Sequence, residues 1–159
     1  MAKRQNTMSH SFQLYITPYS PSIALRLFGE LVLPGGGNNY EIPKDDGAYI
    51  LRSRYVTERE NKCIQVRAGM KLRTCVSCSI IRPREVDGID MIHRLIAHIY
   101  REITHDFLLI ENGADVILMR KDWHALVNSG AEHRFDIDLY DREHEIRDLP
   151  KLNMKQLNQ

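Results

Sequence analysis

The chain has 159 residues, of which 27% are charged and 43% hydrophobic, and its formal net charge at pH 7 is +1. One domain is expected at this length, with a core large enough to fold without disulfides or metals. No apolar run approaches the ~20 residues that span a bilayer, and the first residues lack the apolar stretch of a secretory signal. These features argue against a membrane or secreted protein and predict a soluble, cytoplasmic, globular one.

Three cysteines, an odd number, indicate free thiols in a reducing compartment rather than a disulfide framework. The spacing Cys75-x-x-Cys78 could hold zinc or form a redox pair. In a strand, however, positions 75 and 78 point to opposite faces, and no second cysteine pair or close-following histidine completes four ligands. We therefore predict no metal and no cofactor.

The first half of the chain begins with a disordered tail, residues 1–9, followed by a strand over residues 10–17. Residues 20–33 fit a strand when read at period 2 and a helix when read at period 3.6. Ser20 as N-cap and Pro21 at the first helical position favour the helix, and glycines in the loop that follows, residues 34–47, end it.

A second strand is predicted over residues 48–56, with Tyr49, Leu51 and Tyr55 on one face and two arginines on the other. Residues 58–62 are interpreted as a charged connection, and residues 63–81 as extended chain. In that stretch Gly69 is expected to turn or bulge the chain, and a half-buried strand follows it.

The next signals are a helix and a hairpin. Asp87 is a plausible N-cap for a helix over residues 89–103, whose isoleucines and leucine recur at i, i+3, i+4 and i+7. Residues 107–120 form two apolar runs joined at Asn112-Gly113, which is typical of a type I′ turn because both residues tolerate positive φ angles.

Residues 123–127 are predicted to be a short helix, residues 135–140 a strand, and residues 150–159 a loose tail. Together the elements predict an α+β fold: a single compact domain over residues 10–149, with a mainly antiparallel sheet and two principal helices packed on it.

The charges are unevenly distributed along the chain. Residues 52–73 carry seven basic residues against two acids, and residues 132–148 carry seven acids against three arginines. Adjacent strands could display part of the first set together and attract phosphate groups of RNA or anionic lipid; an ordinary solvated sheet face is the alternative. We call this set the basic face: Arg52, Arg54, Arg67, Lys71 and Arg73.

Within the acidic segment, Asp136, Asp138 and Glu143 form a possible partner-binding surface. Asp136 and Asp138 share one face of the predicted strand, where they could bind a metal or simply face water.

Other motifs that could carry chemistry are incomplete. The run Gly35-Gly36-Gly37 lacks the Lys-Ser/Thr pair of a phosphate-binding P-loop. The seven histidines show no spacing typical of a nuclease, phosphoesterase or metalloprotease. We predict no catalytic residues, and a small hydrolase remains the least favoured class.

The order of elements is similar to that of matrix proteins of rhabdoviruses and related negative-strand RNA viruses. The similarity rests on the strand of residues 12–17 and the helix of residues 20–33, and on the elements in residues 70–81, 89–103 and 107–119. The resemblance implies a non-enzymatic protein that self-associates and bridges a nucleocapsid to the inner membrane face. Its partners would be further copies of itself, nucleoprotein or RNA, and anionic lipid. The chain lacks the Pro-Pro-x-Tyr motif, and its basic N-terminal tail is reduced to Lys3 and Arg4.

The sequence therefore supports two hypotheses about function. The first is a structural or adaptor protein that uses the basic face. The second is a small inhibitor, such as an immunity protein that neutralises a toxin through the acidic segment.

Overall fold

The computed structural model describes residues 8–32, 49–81, 104–134 and 143–154. Within these ranges seven strands form one sheet, in the order β2-β3-β1-β4-β5-β6-β7, and two principal helices accompany it. The predicted α+β class is confirmed. The elements are β1 Met8–Ile16, α1 Pro21–Val32, β2 Tyr49–Tyr55, α2 Glu58–Ala68, β3 Thr74–Ile81, β4 Phe107–Glu111, β5 Asp115–Lys121, β6 His124–Asn128, the four-residue α3 Ala131–Arg134, and β7 Glu145–Arg147.

Every pair of neighbouring strands is antiparallel except β6 and β7, which run parallel. Both faces of the central strands are buried. In β1, Leu14 and Tyr15 point to opposite faces, and each is only 1% exposed. None of the helices in the described ranges is long and apolar enough to cross a bilayer.

The first strand and the first helix are confirmed, although β1 begins at Met8, inside the predicted disordered tail, because Met8 pairs with Ile81 of β3. α1 begins at Pro21, as predicted, and the carbonyl of Ser20 accepts a hydrogen bond from Ala24 N at 2.9 Å. Ala24 and Leu25 are buried, and α1 packs against β2 and β3. α1 therefore covers one face of the sheet near the β2 edge.

The charged connection predicted at residues 58–62, and the extended chain predicted to follow it, are wrong as far as Ala68. These residues form α2. Thr57 and Glu60 form a reciprocal capping box at its start, and Gly69, with φ of 68°, ends it in the left-handed conformation. Gly69 thus caps a helix instead of bending a strand.

The alternation predicted after Gly69 is present only as far as Arg73. β3 begins at Thr74, and its consecutive residues Thr74, Cys75 and Val76 are all buried, because β3 lies inside the sheet between β2 and β1. Met70 and Leu72 are buried, whereas Lys71 and Arg73 are exposed. The side chain of Asn61 on α2 bonds both the N–H and the carbonyl of Leu72, each at 2.9 Å. This pair of bonds fixes the segment against the helix.

The hairpin of β4 and β5 is confirmed, with positive φ at Asn112 (53°) and Gly113 (70°). Ala114 N donates to the Glu111 carbonyl at 3.1 Å, which closes the turn around these two residues. Three residues separate the paired Glu111 and Asp115, and the register shifts after Leu109. The loop is therefore one residue longer than the predicted two-residue turn.

Two predictions in the C-terminal third are wrong. Residues 124–128 form strand β6, not a helix, because the chain reverses at Asp122 and Trp123 and pairs with β5. The predicted loose tail is ordered as far as residue 154: Leu152 and Met154 are buried and donate backbone hydrogen bonds to Ala114 and Gly113. The tail therefore packs over the β4–β5 turn.

Three predictions fall outside the described residues: the loop over residues 34–47, the helix over residues 89–103 and the strand over residues 135–140.

Candidate functional site

A buried carboxylate organises the side of the sheet that α2 covers. Glu60 has no exposed surface and accepts hydrogen bonds from the Tyr15 hydroxyl at 2.8 Å and from Thr57 N at 3.0 Å. Both terminal nitrogens of Arg54 donate to its two oxygens, Nη2 at 2.8 Å. The strand register explains the meeting, because Arg54 and Tyr15 both pair with Cys75 of β3 and so lie on one sheet face.

The surroundings change the protonation of this cluster. Burial alone would raise the pKa of the Glu60 carboxyl, but the hydrogen bonds from Arg54, Thr57 and Tyr15 outweigh it and hold the pKa at about 2. Burial, with the neighbouring Cys75 and Glu60, raises the pKa of the Tyr15 hydroxyl. At neutral pH the cluster is thus a carboxylate fully satisfied by an arginine and a neutral phenol, which is an arrangement that stabilises the fold.

The two cysteines of the Cys-x-x-Cys spacing lie on opposite faces of β3. Cys75 pairs with Tyr15 and Arg54, and Cys78 pairs with Phe12 and Leu51. Burial raises the pKa of the Cys75 thiol to about 12 and also raises that of Cys78. Both are protonated at neutral pH and are therefore poor nucleophiles and poor metal ligands.

The residues of the predicted basic face come from three neighbouring parts of the chain, which are β2, α2 and the segment that joins α2 to β3. Arg52 and Arg54 extend from the edge strand β2, and Arg73 lies over the ring of Tyr55 with its guanidinium carbon 5.9 Å from the ring centroid. Lys71 lies two residues before Arg73, on the segment that returns from α2 to β3, whereas Arg67 lies in the last turn of α2. The structure therefore brings Lys71 close to the three arginines near β2 and places Arg67 at the C-terminal end of α2.

Exposed residues of α2 extend this basic surface. Arg59 and Lys62 lie on this helix, and all seven basic residues between positions 52 and 73 are exposed. Of the two acids in that range, Glu58 is exposed, whereas Glu60 is buried and bonded to Arg54. One member of the predicted face, Arg54, is thus engaged within the protein, and the surface around it carries a strong positive charge.

A second surface feature was missed in the sequence. Trp123 lies at the turn between β5 and β6, is 78% exposed, and has a φ of 73°. Positive φ is rare for a bulky side chain and costs conformational energy. The signal was present in the sequence as an Asp-Trp pair between two apolar runs, because Asp tolerates positive φ in such turns.

Trp123 lines two clefts. One, of about 210 Å³, is lined by His124, Glu143, His144 and Glu145 in addition to Trp123 and Ala125. The other, of about 290 Å³, is lined by Trp123 and five polar residues: Thr17, Thr104, His105, Asp106 and Asp122. Among the described residues that line the two clefts there is no lysine or arginine, so the indole ring is accompanied by carboxylates in both clefts.

Part of the predicted acidic surface lies beside Trp123. Glu143 is exposed and lines the first cleft, whereas Asp136 and Asp138 lie outside the described residues. Among the residues that the structure describes, no three histidine, cysteine, aspartate or glutamate side chains are grouped in a way that could hold a metal ion.

The chain matches no protein-family model, and neither the curated proteins nor the solved structures contain a match to it.

Proposed function

We propose that the protein is a non-enzymatic structural or adaptor protein that binds a phosphate-bearing partner through the basic face and associates with further copies of itself. The observation that carries the proposal is the exposure of all seven basic residues between positions 52 and 73, with one of the two nearby carboxylates withdrawn into the core. The partner would be the RNA of a nucleoprotein or the headgroups of an anionic membrane. A viral matrix protein is the specific form that we propose.

The physical basis is Coulomb attraction together with the release of counterions from the polyanion. Arginine suits this role because its guanidinium can bond two phosphate oxygens at once. Such a surface recognises phosphate groups and not bases, so we expect little preference for RNA sequence.

A charge-reversal variant tests the proposal. Arg52→Glu, Arg67→Glu and Lys71→Glu change exposed side chains of the basic face on β2, on α2 and on the segment after α2, and leave Arg54 in place on Glu60. We expect the triple variant to lose binding, at least tenfold, both to single-stranded RNA and to phosphatidylserine vesicles if phosphate charge alone is recognised. Loss with only one probe identifies the natural partner class.

The matched control reverses three basic residues elsewhere, Arg26→Glu, Arg147→Glu and Lys151→Glu, all of which are exposed. Because both variants change the net charge by the same amount, equal losses in the two variants would show that only total charge matters. That result, or a wild-type protein that binds neither probe at low salt, contradicts the proposal.

The second candidate function is an inhibitor or immunity protein that neutralises a toxin. The exposed Trp123 beside Glu143 favours it, because tryptophan is enriched among residues that dominate protein interfaces. A toxin inhibitor of this kind should lose activity when Trp123 and Glu143 are replaced, and should keep it when the basic face is reversed.

A further inference from the structure

Two aromatic side chains are well exposed within the described part of the chain, Tyr55 at 59% and Trp123 at 78%. Each lies at the end of a strand, where no neighbouring side chain covers its ring fully. Tyrosine and tryptophan are enriched in protein interfaces, so each of these rings is a candidate contact site.

The sheet register relates the two rings in space. A single row of paired residues crosses the sheet from the β2 edge to β6, and Trp123 stands two positions before its last member. The row consists of Tyr55, Thr74, Ile16, Phe107, Arg120 and Ala125. Five strand spacings separate the ends of this row, about 24 Å. The rings therefore lie near the same end of the strands and on opposite sides of the molecule.

The charges around the two rings are opposite. Arg73 lies over the Tyr55 ring, and Arg54 donates to the Tyr55 carbonyl. The described residues that line the clefts beside Trp123 include carboxylates, among them Asp122 and Glu143, and no lysine or arginine. An indole flanked by carboxylates is complementary to a guanidinium lying on a phenol ring, because the cation can contact the indole face and pair with an acid at once.

We propose that Trp123 of one copy docks on the Tyr55–Arg73 pair of the next copy, with Asp122 and Glu143 facing Arg73. The occupant is a second copy of this chain because the complementary surface is present on the same molecule, at the far end of the same row. The two surfaces differ, so the contact is heterologous and repeats from copy to copy as an open, head-to-tail chain. This inference rests on the proposed function, whose self-association it assigns to named residues. The docking contact leaves Arg67, Lys71 and the exposed face of α2 accessible to a polyanion.

Two variants each remove one half of the contact. Trp123→Gly removes the indole and suits the positive φ at this position, and Tyr55→Ala removes the exposed phenol. Measured by sedimentation velocity over a concentration series at low salt, the wild-type weight-average mass should rise with concentration and fall when salt is added. Each variant alone should associate at least tenfold more weakly.

Mixing the two variants is the decisive step. Tyr55→Ala keeps its tryptophan and Trp123→Gly keeps its tyrosine, so a 1:1 mixture should form dimers of one copy of each and nothing larger. A wild type that stays monomeric throughout, a Tyr55→Ala variant that associates like the wild type, or a mixture that stays monomeric overturns the inference. Circular dichroism checks that both variants fold. If Tyr55→Ala does not fold, the Tyr55→Phe variant is measured in addition, and because it keeps the ring it should associate like the wild type.

Binding of RNA separates this inference from the proposed function. Both single variants keep Arg52, Arg67 and Lys71, and should bind RNA like the wild type. If self-association fails while RNA binding persists, only the docking inference is lost. If RNA binding fails while the mixture forms dimers, only the polyanion partner is lost.

Discussion

Arg54 covers Glu60 with two hydrogen bonds from its guanidinium, so that a partly exposed cation neutralises a carboxylate with no exposed surface. The same carboxylate closes the capping box of α2 and accepts from Tyr15 of the central strand. One side chain therefore joins an edge strand, a helix start and the middle of the sheet. Truncating either partner of such a buried pair is costly because the remaining charge loses its compensation.

Glu60→Gln should destabilise the fold at neutral pH by about 3 kcal/mol, since the pKa falls from 4.5 to about 2 on folding. Because the pKa of the Glu60 carboxyl is lower in the folded protein, its contribution to stability is fully present above the pKa that it has in the unfolded chain. That stability is lost as the pH falls from about 4.5 towards about 2. The difference between wild type and Glu60→Gln, measured by urea unfolding, should therefore shrink between pH 5 and about pH 2. A difference that stays constant over this range contradicts the account.

Gly113→Val should cost more than about 1 kcal/mol of unfolding free energy, because a β-branched residue is strained at a φ of 70°. The Gly113 N–H also donates to Gln13 Oε1 at 2.8 Å, so a shift of the turn would disturb β1. Gly113→Asn is the matched control, since asparagine tolerates this conformation and should cost less. Equal thermal unfolding temperatures for the wild type and the valine variant would contradict the assigned turn.

Trp123→Gly should raise the free energy of unfolding, by about 1 kcal/mol, because it relieves positive φ while removing a side chain that is 78% exposed. A residue that destabilises the fold yet stands in solvent is best explained by a role in binding. Chemical denaturation of the two proteins measures the effect. Marked destabilisation of the glycine variant would show that the indole is a structural element of the turn.

Cys75 and Cys78 should resist a thiol reagent in the native protein, because both are buried and their pKa values are raised. Cys63 is half-buried and should therefore react first, even though its thiol donates a hydrogen bond to the Leu152 carbonyl at 3.2 Å. Mass spectrometry after brief labelling should find one modified thiol before unfolding and three after it. Rapid native labelling of Cys75 or Cys78 contradicts the burial of β3.

The sequence predicted the elements whose own residues carry their signals. Pro21 and the apolar stripe after it predicted α1, and Asn112-Gly113 predicted the hairpin, because propensity and turn chemistry agree with the tertiary structure there. α2 was missed because its mean composition is polar and only a narrow side is buried, at Glu60, Ile64 and Ala68. The capping box at Thr57 and Glu60 and the glycine at position 69 were the available signals.

The candidate surfaces were only partly predictable. Alternation in β2 correctly placed Arg52 and Arg54 outward, but no local pattern shows that Arg54 reaches a buried carboxylate from the helix that follows. Trp123 was read as the start of a helix, whereas pairing with β5 makes it the turn before β6. Both facts depend on contacts between elements, which propensity does not encode.

The most direct test of the proposed function is the salt dependence of RNA binding by the wild-type protein. In fluorescence anisotropy titrations with a labelled single-stranded RNA, the logarithm of the binding constant should fall linearly with the logarithm of the salt concentration. A slope of about −2 to −4 is expected if the exposed residues of the basic face neutralise roughly three to five phosphates. The slope should be nearly unchanged between RNA sequences and should decrease in magnitude in the Arg52→Glu, Arg67→Glu, Lys71→Glu variant. No binding at low salt, or binding that does not change with salt, would contradict the account.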